Sequence, residues 1–127
     1  MQMIEHNPPA IYPTGPDYRH ALEVREPRRF LFVSGTMGLD PAGAPGKDLE
    51  QQLGLIWDNL RMILASAGMG VDNIVRLTSY LRDRAYVTAN QDARIAALKG
   101  RAIPTTAIVV DTLERDWLVE IEIIAAA

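Results

Sequence analysis

A chain of 127 residues has the size of one domain, and its 48% hydrophobic and 23% charged residues describe an ordinary globular composition rather than a disordered segment. The net charge of −3 argues against nucleic-acid or anionic-membrane binding, because phosphate neutralisation needs a basic face. With no cysteine, disulfides, thiolate zinc sites, iron–sulfur clusters and Cys nucleophiles are excluded, and two histidines, His6 and His20, are too few for a three-histidine metal site.

Residues 1–16 contain Pro8, Pro9, Pro13 and Pro16, so the chain is expected to begin as an extended arm on a single domain spanning 1–127. The arm has neither a cationic start nor an apolar run of the signal-peptide kind, and no apolar stretch is long enough to span a bilayer. The cytoplasm is therefore the expected compartment. Tyr18 to Arg25 reads as a strand, Glu26 to Arg29 as the solvated tip of a hairpin, and Phe30 to Ser34 as a second strand that is apolar on both faces. Gly35 to Lys47, with four glycines and two prolines, reads as a loop long enough to carry a role.

Asp48, followed three residues later by Gln51, resembles a capping box. Leu49, Leu53, Ile56, Trp57, Leu60, Ile63, Leu64 and Ala67 then recur at helical spacing before Gly68, which predicts a helix over 48–67. Ile74 to Arg82 alternates as a strand, with Val75, Leu77, Ser79 and Leu81 facing one way and Arg76, Thr78, Tyr80 and Arg82 the other. Asp83 caps a second, Ala-rich helix over about 84–99. Pro104 to Asp111 and Trp117 to Ala126 complete the strands, the last placing Glu120, Glu122 and Ile124 on one face. The order β-β-α-β-α-β-β implies an α+β domain in which two helices cover one face of a mixed sheet. Strands 30–33 and 107–110 are apolar on both faces, so the second face needs its own cover, and a further copy of the chain is the economical one.

Few residues invite chemistry. A carboxylate pair on a largely apolar face is costly unless bonded, so Glu120 reads either as an acid/base with raised pKa or as a carboxylate bonded at a subunit contact. For Glu122 the contact reading is preferred. Ser34-Gly35-Thr36 could cradle a small anion, although a strand-end turn would use the same residues. Thr105 and Thr106 could offer hydroxyls to a carboxylate, or could simply be β-branched residues suited to a strand. His20, mid-strand beside Tyr18, reads as a packed or surface histidine rather than a base.

Taken together, Gly15-Pro16 with Tyr18, Phe32-Val33-Ser34-Gly35 before Gly38-Leu39-Asp40-Pro41, Gln52 and Asn59, Ala67-Gly68, Leu81-x-Asp83, Asn90, Pro104 and Val119-Glu120-Ile121-Glu122 resemble the Rid family in order along nearly the whole chain. That family is also called YjgF, and in older usage endoribonuclease L-PSP or translation initiation inhibitor. The resemblance implies a chorismate-mutase-like fold and a homotrimer whose sheets face inward, with small-molecule clefts between subunits and no cofactor. It also implies hydrolysis of reactive enamine or imine intermediates to 2-keto acids and ammonia. By the same resemblance Glu120 positions the hydrolytic water, while Tyr18, Ser34, Gly35, Asn90, Thr105, Thr106 and Ile108 contact the ligand. The chain departs from the pattern at Thr106, where active members carry a carboxylate-clamping arginine, and at Ala93, often aromatic in those members. Arg94 or Arg101 could supply that charge from elsewhere. Three functions follow: hydrolysis of a C=N or enamine group, non-catalytic binding of a metabolite in the same cleft, and RNA cleavage, which the net charge and the lack of a paired-histidine site oppose.

Overall fold

The computed structural model describes residues 1–127. Its strands are β1 (Gln2–His6), β2 (Ala21–Arg25), β3 (Phe30–Met37), β4 (Ile74–Leu81), β5 (Thr105–Val109) and β6 (Val119–Ala126), and its helices are α1 (Leu49–Ser66) and α2 (Val87–Ala97). A four-stranded sheet runs in the order β3-β6-β4-β5, antiparallel except for the β4–β5 pair, and a separate two-stranded sheet pairs β1 with β2. The parallel β4–β5 pair needs a crossover, and α2 supplies it.

The apolar stripe of α1 explains its place. Ile56, Leu60 and Leu64 are fully buried against Ile74, Leu77, Leu81, Val119, Ile121 and Ile123 of the sheet, and the smaller α2 adds Ala97 beside Leu98. Asp48 caps α1 by accepting from the Gln51 amide at 2.8 Å. Both helices pack on one face of the mixed sheet, the α+β arrangement expected from the sequence. The alternation along β4 and β6 holds residue by residue: the buried set faces the helices, and Arg76, Thr78, Tyr80, Glu120, Glu122 and Ile124 line the other, open face.

Several boundaries differ from the sequence-based expectation. Part of the N-terminal arm, Gln2–His6, is a strand, because it finds the free edge of β2. Tyr18 lies outside β2 and forms an isolated bridge to Ile103 instead. Glu26–Arg29 is no hairpin tip, since β2 pairs with β1 and β3 with β6. Arg29 reaches the C-terminal end of α1, where its guanidinium donates to Ala67 O at 2.5 Å, the carbonyls a helix leaves unpaired. Strand β3 continues to Met37 through a bulge between Val33 and Thr36. The second helix begins with a 3-10 turn, Arg84–Tyr86, and ends at Ala97. Ala107, Ile108 and Val109, apolar on both faces in sequence, sit on the edge strand and are exposed in the single chain.

Two long-range anchors hold the loops. Gln52 is buried: its Nε2 donates to Gly46 O (3.0 Å) and Asp116 O (2.8 Å), and its Oε1 accepts from the Leu118 amide (2.9 Å). Gly38 permits the close approach, because a β-carbon there would come within 2.6 Å of the Gln52 Cα. No helix is long and apolar enough to cross a membrane.

Candidate functional site

The open face of the sheet carries a cluster of titratable side chains. On β6, Glu120 stands opposite Tyr80 of β4 and Glu122 opposite Thr78, so three titratable groups share a small area. Tyr80 donates its hydroxyl hydrogen to Glu122 Oε1, a short contact, and this bond to a carboxylate holds the tyrosine pKa above its ordinary value. Burial raises the Glu120 pKa, and the negative charge of Glu122 adds to the effect.

Room for Glu120 comes from Gly35. A β-carbon on residue 35 would lie 2.7 Å from Glu120 Cδ and 3.0 Å from Cγ, so the glycine of the β3 bulge is where the carboxylate seats. Glu120 and Tyr80 border a recess of about 130 Å³ formed with residues 110–113. On the other side of Glu122, a cavity of about 400 Å³ is lined by Phe32, Ser34, Arg76, Thr78, Glu122 and Ile124. Arg76 Nη2 donates to Thr106 Oγ1 at 2.6 Å across β4 and β5.

Among the residues expected to form a site, Glu120, Ser34, Gly35, Thr106 and Ile108 belong to this face or its rim: Thr106 pairs with Thr78 and Ile108 with Tyr80. Thr105 pairs with buried Leu77 and so faces the helices. Asn90 is buried on α2, its Oδ1 without a partner, on the far side of the sheet from Glu120. Tyr18 is half-buried, edge-on to His20 with ring centroids 6.0 Å apart. Within one chain, Tyr18, Asn90 and Thr105 do not meet Glu120.

Neither alternative cation is free. Arg94 is buried and bonded to Asp17, its Nη2 2.7 Å from Oδ2 and its Nη1 donating to Asp17 O at 2.7 Å. Arg101 donates to Val71 O and Ile74 O at 2.9 and 2.6 Å, closing the turn before β4. His6 bonds Glu23 and His20 bonds Tyr12 O, and neither belongs to the four-stranded sheet. Sequence reasoning passed over Arg76 and Tyr80 as site residues. Their alternation was visible, but their position beside β6 depends on strand order, which is not local information.

The profile of the family described as Endoribonuclease L-PSP matches residues 9–127. A RutC family protein of Pyrococcus horikoshii is 33% identical over 116 residues, covering 89% of this chain and 88% of that one. A RutC family protein of Escherichia coli is 37% identical over 79 residues, 58% of this chain, and the match spans 60% of that protein. A Yersinia pestis protein of unknown function from the conserved Rid family superposes over the full length of both chains with a TM-score of 0.81 at 27% identity.

Proposed function

The chain belongs to the endoribonuclease L-PSP family, the Rid family, and from that premise we propose that it binds a small metabolite on the open face of its sheet and hydrolyses a C=N or enamine group there. The observation that carries this reading is Glu120: a carboxylate on the open face, seated against a glycine, with its pKa raised by burial. In its ionised form it accepts a proton from water as the water oxygen bonds to the imine carbon. The nitrogen takes up protons and leaves as ammonia, and the carbon is left as a carbonyl. The exposed Phe30, Phe32 and Ile108 support cover of the face by further copies of the chain. The assembly in this reading is a homotrimer and the compartment the cytoplasm, as the family resemblance and the sequence lead one to expect.

A second reading, ligand binding without catalysis, is supported by Thr106: the resemblance to the family implies that this is the position of the carboxylate-clamping arginine of active members. A coupled assay separates the two. A pyridoxal-phosphate enzyme generates 2-aminoacrylate, and pyruvate appearance is followed with and without this protein. Acceleration that is lost in Glu120→Ala is the expected result. No acceleration overturns the hydrolytic reading and leaves the binding one. The RNA cleavage suggested by the family's older name is opposed by the net charge of −3 and by histidines that both lie outside the four-stranded sheet.

A further inference from the structure

On the helical side of the sheet, away from Glu120 and the exposed phenylalanines, α1 and α2 enclose a groove of about 790 Å³. Its walls are small residues: Ala89, Ala93 and Ala96 from α2, and Gly54 from α1, where a β-carbon would meet nothing within 4 Å. A glycine in the middle of a helix weakens it relative to alanine, and no close approach at Gly54 requires one. Its effect is to deepen the groove. The floor is Leu53 and Trp57. Trp57 is only 3% exposed, and its indole Nε1, a group that can only donate, has no acceptor. A buried N–H without a partner is rare and costly, and the groove that the ring lines is the side from which an acceptor can come. The rim is acidic. Asp48 at the α1 cap, Glu50 and Asp58 of α1 and Asp92 of α2 are all exposed there, with a single cation, Arg61, which pairs with Asp58 at 3.3 Å. Asp48, Glu50 and Asp92 take part in no ion pair.

We infer that this groove binds a small amphiphilic organic cation. Its apolar body lies along Leu53 and the alanines of α2, its ammonium head sits among the rim carboxylates, and a carbonyl oxygen accepts from Trp57 Nε1. The volume is that of a small-molecule site. The charge of the rim sets the sign of the occupant, because an anionic head would meet repulsion from three unpaired carboxylates. The depth of Trp57 sets its shape: a slender molecule can bring an acceptor down to a buried indole, and a flat protein surface cannot. No residue of the open face lines this groove, so the inference stands apart from the hydrolytic reading.

Calorimetric titration of the full-length protein with decanoylcholine, below its micelle concentration and at low salt, tests the inference. This probe joins an apolar chain, an ester carbonyl and a quaternary ammonium. The wild type is expected to bind it at least about tenfold tighter than the neutral N-(2-hydroxyethyl)decanamide, and decanoate more weakly than either. The preference for the cation should shrink as added salt screens the rim. The chain has two tryptophans, so its NMR spectrum holds two indole N–H signals. The Trp57 signal, the one that persists in Trp117→Phe, should move downfield as it donates to the ester. Gly54→Leu places a side chain in open space and should weaken decanoylcholine at least about tenfold by filling the groove. Asp92→Asn should lower the preference over the amide. Absent binding, equal binding of cation and amide, an unmoved Trp57 signal, or an unchanged affinity in a folded Gly54→Leu each overturns the inference. So does binding confined to a lysine-rich amphipathic helical peptide, or self-association that Gly54→Leu removes, since either assigns the groove to a protein chain. The wild-type affinity ratio and indole shift decide the matter even if a variant fails to fold.

Discussion

The carboxylate of Glu120 fills the space that a β-carbon on Gly35 would need, with Cδ 2.7 Å and Cγ 3.0 Å from that position. The clash involves the far end of a flexible side chain, so Gly35→Ala should be accommodated by swinging the carboxylate aside. Stability should fall by no more than about 1 kcal/mol, since only that side chain has to move. Hydrolysis should fall much further, about a hundredfold, because a displacement on the ångström scale is enough to lose catalytic alignment. Kinetics of Gly35→Ala, Glu120→Gln and the double variant check this. The two losses should fail to add, and additive losses would show that Gly35 acts independently of Glu120.

The raised pKa of Glu120 carries a stability consequence whose sign is fixed. Burial favours the neutral acid in the folded state, with Glu122 adding to the effect, while the unfolded chain titrates at the ordinary value of 4.5. The contribution is therefore fully present below that value and is lost as pH rises through the folded pKa. Glu120→Gln mimics the neutral acid, so the variant should be more stable than the wild type at pH 7. That advantage should shrink as the pH is lowered into the carboxylate range. Chemical denaturation of both proteins across that window gives the answer. An advantage constant with pH would mean that the gain comes from something other than ionisation.

The Arg94–Asp17 pair pins the segment before β2 onto α2, with side-chain exposures of 8% and 17%. Removing the acid leaves a buried guanidinium uncompensated, which costs about 3–5 kcal/mol. Asp17→Ala should lower the denaturation midpoint accordingly, and Asp17→Asn, which keeps an acceptor, should lower it less. Equal effects of the two would show that charge is immaterial at this position.

What was legible in the sequence was the local part. The stripe from Leu49 to Ala67 placed α1, and period-two alternation placed Tyr80, Glu120 and Glu122 on the faces where they lie. Strand pairing was not legible, because hydrogen-bonded neighbours such as β3 and β6 are far apart in the chain. Arg29 therefore read as a hairpin tip although it caps α1, and β1 went unseen because a short polar segment becomes a strand only where an edge is offered. The same lack hid the Arg76–Thr106 contact, which joins residues 30 apart. Arg94 read as a candidate ligand group because its partner, Asp17, is 77 residues away.

Gln52 satisfies three backbone groups from two separate loops, at Gly46, Asp116 and Leu118. Gln52→Leu keeps a side chain of similar bulk but strands those groups, each costly to leave unpaired in the interior. A loss of roughly 2–4 kcal/mol is expected. Hydrogen exchange should speed at the Leu118 amide and its neighbours but not at the amides in the middle of β4. Uniform acceleration across the sheet would instead mean that Gln52 supports the whole core.

Phe32 is 73% exposed and Phe30 51%, and their rings lie 6.1 Å apart on the open face beside Ile124. Two phenyl rings in water on the same strand as the Ser34-Gly35 bulge are a physical reason for a second chain to cover this sheet, since each buried side chain of that size stabilises an interface by about 1.5–3 kcal/mol. A charge in place of Phe32 would have to be desolvated on assembly. Phe32→Asp should therefore shift the mass measured by light scattering from an oligomer to a single chain. Because the residue packs against nothing essential to the core, far-ultraviolet circular dichroism should stay unchanged. An unaltered oligomer would place the subunit contact elsewhere. A monomeric wild type would leave Glu120 to work in a cavity open to solvent, its pKa raised by the burial the single chain provides and by the charge of Glu122.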